Sequence, residues 1–276
     1  MRDRLTDYLV IAATVALGAC SDGAGPPGAG RISFAVSTRQ PSAAPVPPAG
    51  QAVSASLQSG SPETFTDGTN TLVIASVELV LREVELKRVD EDNCETASGG
   101  VAGESESGAE GCEELEAGPF LLDLPLGSTE RLFSADVPAG SYDEVEFEVH
   151  KPEDDGNAVD RAFLAAHPDF ARISIRVKGT FNGADFTYWS DLNVEQELEL
   201  DPPLVVSAGT PVTLTVRLDL DGWFRSGTTV VDPRTANEGG VNENLVRDNI
   251  TMSFESFRDD DEDGLDDDHE DSDVGR

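Results

Sequence analysis

The sequence predicts an all-β protein, an antiparallel β-sandwich carrying one short helix. Three observations carry this expectation. Short runs alternate apolar and polar residues, the period of a strand with one buried face. Gly, Pro and Asn-Gly turn signals punctuate those runs at short intervals. Valine, leucine and threonine are plentiful, and long helical periodicity is missing.

In chain order, Arg2 and Arg4 precede an apolar run from Leu9 to Leu17 that ends in small residues. Charged start, short apolar stretch and small residues at a cut site predict a secretory signal over 1–19. A spanning helix needs about 20 apolar residues, and this run has nine. The string Leu17-Gly18-Ala19-Cys20 resembles the lipobox of bacterial lipoproteins. That resemblance implies cleavage before Cys20, acylation of Cys20, and anchoring to a bacterial cell envelope. Ser21 in the next position points, by the same resemblance, to the outer membrane. Several acyl chains would hold the protein firmly, where one binds only marginally.

Residues 20–30 read as a flexible tether. Gly23-Ala24-Gly25-Pro26-Pro27-Gly28 matches the dinucleotide fingerprint literally. It lacks the strand and helix that fingerprint needs, and its prolines remove amide donors. The sandwich is expected over 31–257. Ile32, Phe34 and Val36 alternate as a first strand, and 41–70 returns to linker character. From Thr71, Val77, Leu79 and Leu81 alternate with Glu78, Val80 and Arg82. After an irregularity, Val84 and Leu86 continue the pattern. Residues 90–116 form an acidic loop of Glu, Gly and Ser. Strands are expected on either side of Pro138-Ala139-Gly140, with Val145, Phe147 and Val149 behind the turn. Ala158 to Ala166 is the one expected helix, stopped by Pro168. Ile173, Ile175 and Val177 lead to Asn182-Gly183, the strongest short hairpin signal. Phe186, Tyr188 and Trp189 follow it. Val194 to Leu200, Val212 to Leu220 and Ile250 to Phe257 complete the strands, and 258–276 is an acidic tail.

Val77-Glu-Leu-Val-Leu-Arg-Glu-Val-Glu-Leu, Leu121-Leu-Asp-Leu and Val137-Pro-Ala-Gly-Ser-Tyr-Asp-Glu-Val resemble an uncharacterised bacterial lipoprotein family, a domain of unknown function. The resemblance spans about residues 30 to 220. It implies a sandwich of immunoglobulin or transthyretin-like kind, akin to carbohydrate-binding modules. It transfers no functional residue.

The formal charge of −35 repels nucleic acid and anionic lipid surfaces and attracts cations. Of three cysteines, Cys20 is taken by the lipid reading, leaving Cys94 and Cys112 as a pair. In an oxidising compartment a disulfide would close the acidic loop, worth roughly 3 kcal/mol in the chain-entropy picture.

One constellation carries chemistry. Asp259, Asp261 and Asp263 occupy positions 1, 3 and 5 of a calcium loop, with Gly264 at the sharp turn. Leu265 would offer its carbonyl, Asp267 a carboxylate or bridging water, and Glu270 a bidentate carboxylate. The string also resembles thrombospondin type 3-like calcium repeats. Position 8 is Asp266 where an anchoring aliphatic is usual, which predicts weak binding, about 10⁻⁴–10⁻³ M. A disordered acidic tail is the plainer reading of the same residues.

The sequence holds no Gly-x-Ser-x-Gly, His-Glu-x-x-His, Cys-x-x-Cys or P-loop string. His150 reads as a strand-end residue and His167 as a helix terminus. Tyr188 and Trp189 are strand neighbours, so one faces the core and the other can offer a stacking platform. Trp189 and Trp223 are the candidate ligand contacts, with core packing the plainer reading of each. Tyr142, after the Pro-Ala-Gly turn, reads as a structural hydroxyl. These readings converge on a non-catalytic, lipid-anchored binding or adhesion module with a calcium site, its partner a glycan or envelope protein. A purely structural, solvating role is the alternative, and an envelope hydrolase a distant third. Oligomeric state is not readable from the sequence.

Overall fold

The structure is a computed structural model, and it describes residues 29–38, 61–89, 112–116, 118–153 and 157–270. In chain order the strands and helices are β1 (Ala29–Ser37), β2 (Glu63–Thr66), β3 (Thr71–Arg88), β4 (Cys112–Glu116), β5 (Phe120–Asp123), β6 (Thr129–Pro138), β7 (Gly140–Val149) and α1 (Ala158–Ala166). They continue with β8 (Ile175–Phe181), β9 (Ala184–Ser190), β10 (Val194–Val206), β11 (Val212–Leu218), α2 (Leu220–Trp223), β12 (Arg225–Ser226) and β13 (Thr229–Val230). The last elements are α3 (Glu243–Thr251), β14 (Phe254–Arg258) and α4 (Asp267–Glu270).

Two sheets pack face to face. The smaller has the order β14-β11-β1-β6, and the larger runs β10-β7-β3-β8-β9. β2, β4 and β5 pair along β3 as well, which makes that 18-residue strand the spine of the fold. Inward alternation explains the core: Ile32, Phe34 and Val36 from β1 join Val77, Leu79, Val145, Phe147 and Val216 in one buried cluster. Phe147 and Phe254 meet edge to face at 5.5 Å and tie the two sheets together. Each such fully buried side chain contributes about 1.5–3 kcal/mol. Pairing is antiparallel except between β1 and β11, which run parallel.

β3 bends where the expected irregularity falls. Glu83 adopts a φ of 51°, and the register with β7 shifts between Arg82 and Glu85. Arg82 pairs there with buried Asp160 of α1. α1 lies over Val80 with Phe163 and Phe170 in a second small cluster. Its start is capped by the Asn157 side chain, which accepts the Val159 N–H, and its C-cap residue is His167. The Asn182-Gly183 hairpin has both residues at positive φ, 52° and 78°, the conformation a type I′ turn requires.

Four expectations are corrected. The 41–70 stretch is not linker throughout, because Glu63–Thr66 pairs with β3 through Phe65 opposite Leu72. The 90–116 loop ends in a strand, β4, which pairs with β3 from Val84 to Lys87. The fold has further short helices besides α1, and α3 contains Ile250, read from sequence as a strand residue. Val246 and Ile250 sit one helical turn apart and both are fully buried. Last, Trp223 is fully buried and is core, not a ligand contact. α2 turns it inward, and its indole N–H donates to the Ser253 hydroxyl at 2.8 Å.

The signal, Cys20, Cys94 and most of the 90–116 loop lie outside the described residues, as does the tether up to residue 28; Ala29 and Gly30, read as tether, instead open β1. Cys112 opens β4 opposite Lys87. Among the described residues no helix is long and apolar enough to cross a membrane.

Candidate functional site

Beyond β14 the chain turns across the end of the small sheet. The turn begins as a continuation of the ladder, with the Asp259 N–H donating to the Thr213 carbonyl at 3.1 Å. The Thr213 N–H in turn donates to Asp260 Oδ1 at 3.0 Å. Asp259 is thereby drawn under the sheet and is 0% exposed. Both oxygens of its carboxylate accept hydrogen bonds, with acceptor capacity left over. Oδ2 accepts the Thr215 hydroxyl and the Gly264 N–H, both at 3.0 Å, and Oδ1 accepts the Asp263 N–H at 2.9 Å. Gly264 has a φ of 82°, the left-handed conformation that a glycine adopts without strain. Arg131 of β6 pairs with Glu262, and Arg258 reaches Asp260 and Asp268. The loop is therefore docked on β11 and β6, not loose in solvent.

Of the sequence-predicted ligands, Asp259, Asp261 and Asp267 come together, each with a carboxylate oxygen within 4.8 Å of the others. That spacing fits one calcium ion, since two oxygens each about 2.4 Å from a common ion are at most about 4.8 Å apart. Asp263 lies outside this trio, and its Oδ1 accepts the Leu265 N–H at 2.8 Å. Asp267 opens α4, and its Oδ2 accepts the Asp260 N–H at 2.7 Å. Glu270 lies on the same helix, and its side chain is outside the described set. Burial pushes the Asp259 carboxyl up to about 6, against the opposing Thr215 hydroxyl and loop amides. Burial raises Asp267 too, with the Asp261 and Asp260 charges adding to it. A cation between these groups would relieve both burial and repulsion, and protons would compete with it.

A second carboxylate group was not foreseen from sequence. β7 and β10 place Glu144, Glu146 and Glu148 opposite Glu199, Glu197 and Glu195. Glu85 of β3 stands opposite Glu146 on its other flank. Like charges directly opposite across strands destabilise a sheet. Glu146, Glu195 and Glu197 also bring oxygens within 4.8 Å of one another. Burial, a hydrogen bond shared with Glu195 and the surrounding charges push Glu146 up to about 8. The ladder therefore holds a proton near neutral pH. The signal that could have exposed it is Glu-x-Glu-x-Glu, which occurs at 144–148 and again at 195–199.

The remaining candidates divide cleanly. Tyr188 is fully buried and Trp189 is 38% exposed, as strand alternation requires. The Tyr142 hydroxyl donates to the Pro138 carbonyl at 2.8 Å, a contact that ties β7 back to the turn. His150 follows the end of β7 and pairs with Glu153, and His167 packs on Phe163 with ring centroids 4.8 Å apart. Comparison with protein-family models, with curated proteins and with solved structures finds no match for this chain.

Proposed function

We propose that this protein is an exported, lipid-anchored module of the bacterial cell envelope that works by binding, not catalysis, and carries a calcium site in its C-terminal loop. The observation that carries the reading is the buried Asp259, held by the sheet while its carboxylate faces Asp261 and Asp267 within 4.8 Å. Asp259, Asp261 and Asp267 would hold the ion, with the Leu265 carbonyl and Glu270 as further oxygen donors. Calcium supplies charge neutralisation there and no redox or acid–base step. The anchor reading is supported by Leu17-Gly18-Ala19-Cys20, and the envelope location follows from it. Outside the cytosol, Cys94 and Cys112 would be oxidised to a disulfide.

Calorimetric titration of the purified protein with calcium chloride tests the site. Binding with a Kd of about 10⁻⁴–10⁻³ M is expected, and Asp261→Asn with Asp267→Asn should remove the heat. An unchanged isotherm in that double variant overturns the assignment. Cys20→Ala should move the protein from membrane to soluble fractions, and continued membrane fractionation would count against the anchor.

A further inference from the structure

We infer that the surface around Trp189 is a subsite for one ring of an uncharged saccharide, an inference that rests on the binding-module reading and names its ligand class. Trp189 is the only exposed aromatic side chain among the described residues. It stands on β9, the edge strand of the large sheet, which among the described residues pairs only with β8. Asn237 caps that edge in place of a further strand. Its Oδ1 accepts the Trp189 N–H at 2.9 Å and its Nδ2 donates to the Thr187 carbonyl at 3.3 Å. The backbone beneath the indole is thus fixed while the side chain stays partly exposed.

Beside Trp189 lies a shallow depression whose lining includes Ser190, Asp191, Glu238, Glu243 and Arg247. Arg247 donates to Asp191 Oδ1 at 2.6 Å and to the Ser190 hydroxyl at 3.2 Å. Its hydrogen bond holds the Asp191 carboxyl below the usual range, so Asp191 is an acceptor at neutral pH. Glu243 accepts the Gly239 N–H at 2.6 Å through one oxygen.

These features select among ligands by elimination. An anion would meet three carboxylates and the field of a chain carrying −35. A metal cation would find its oxygens taken, because Asp191 is paired with Arg247 and Lys151 and one oxygen of Glu243 accepts the Gly239 N–H; among the described residues the carboxylate trios able to hold an ion lie elsewhere. A large apolar ligand would need a deep cleft, and this hollow is shallow. A pyranose ring fits all three terms. Its C–H face stacks on the indole, and its hydroxyls both donate and accept. One ring on one platform binds weakly, so avidity would come from many copies on one surface.

The test uses the purified full chain and neutral hexasaccharides of the cellulose, chitin, laminarin, mannan and starch series. Trp223 is buried, so a saturable change in indole fluorescence reports Trp189. At least one hexasaccharide should bind, calorimetry on Trp189→Ala should show at least a ten-fold loss, and Trp189→Tyr should retain most of the affinity. The inference falls if no hexasaccharide binds, if binding survives Trp189→Ala undiminished, or if only a Lys/Arg-rich peptide binds. Calcium titration of the same sample separates the two readings. Calcium heat without saccharide binding removes this subsite alone, and loss of both removes the binding-module reading with it.

Discussion

The C-terminal loop and the β7–β10 glutamate ladder are both rich in carboxylates and are organised in opposite ways. In the loop, backbone amides of Asp263 and Gly264 and the Thr215 hydroxyl converge on Asp259. Fixed donors of this kind hold carboxylates around a point without a counter-ion. In the ladder, the strand register alone brings Glu146, Glu195 and Glu197 together, and Glu146 stays protonated to pH about 8. The same crowding of carboxylate oxygens therefore means different things. The loop is prepared for a cation, and the ladder relieves its repulsion with a proton.

The largest expected effect is at Asp259. Asp259→Ala leaves the Thr215 hydroxyl and the Gly264 N–H buried and unpaired, a loss of about 3 kcal/mol in urea denaturation. A loss below about 1 kcal/mol would show that the loop does not depend on its buried carboxylate. Next comes calcium itself. At 10 mM it should stabilise the wild type by about 1–3 kcal/mol. Asp261→Asn with Asp267→Asn should lose that gain, while Glu195→Gln with Glu197→Gln should keep it. The reverse pattern would move the cation to the ladder.

A smaller effect separates the two regions by pH. The folded-state value of Glu146 lies above its ordinary value, so its protonated form stabilises the fold at low pH. That contribution is complete below about 4.5 and is lost as pH rises to about 8. Glu146→Gln should flatten this slope, so that the variant is more stable than wild type at pH 9 and differs little from it at pH 4. Equal pH profiles for the two proteins would show that the ladder carries no shared proton. Asp259 contributes a similar loss between about 4 and 6, and calcium affinity should rise across that interval as protons leave. The smallest expected change is Trp189→Ala, about 0.5 kcal/mol or less, because the ring is already partly solvated.

Local signals were legible and distant ones were not. The α1 helix matches its expected span because Asn157, Pro168 and the apolar spacing lie within one short window. Asn182-Gly183 marked its own hairpin. The acidic turn was readable for the same reason, since its carboxylates recur every second residue along one stretch, and three of them, Asp259, Asp261 and Asp267, do come together. The glutamate ladder depends on register between strands some 50 residues apart: each Glu-x-Glu-x-Glu run is visible locally, but not that the two runs face each other. α3 escaped notice because it shows the core only Val246 and Ile250, too few for a helical period to register. β2 was hidden by its surroundings of Ser, Pro and Gly, with Phe65 its only large apolar residue. The burial of Trp223 follows from the α2 turn and its packing against α3, neither of which strand alternation could anticipate.

The placement of β1 bears on how the molecule answers a pull. β1 is the first described strand, and it lies between β6, which it pairs from Ala29 to Ser37, and β11, which it pairs from Ile32 to Ser37. Tension arriving at Ala29 along the strand would load both rows of hydrogen bonds in shear. They cannot open one after another, as they would on a strand peeled from an open border. Rupture is then a matter of rate, and the amino end is a strong point from which to hang the rest of the molecule.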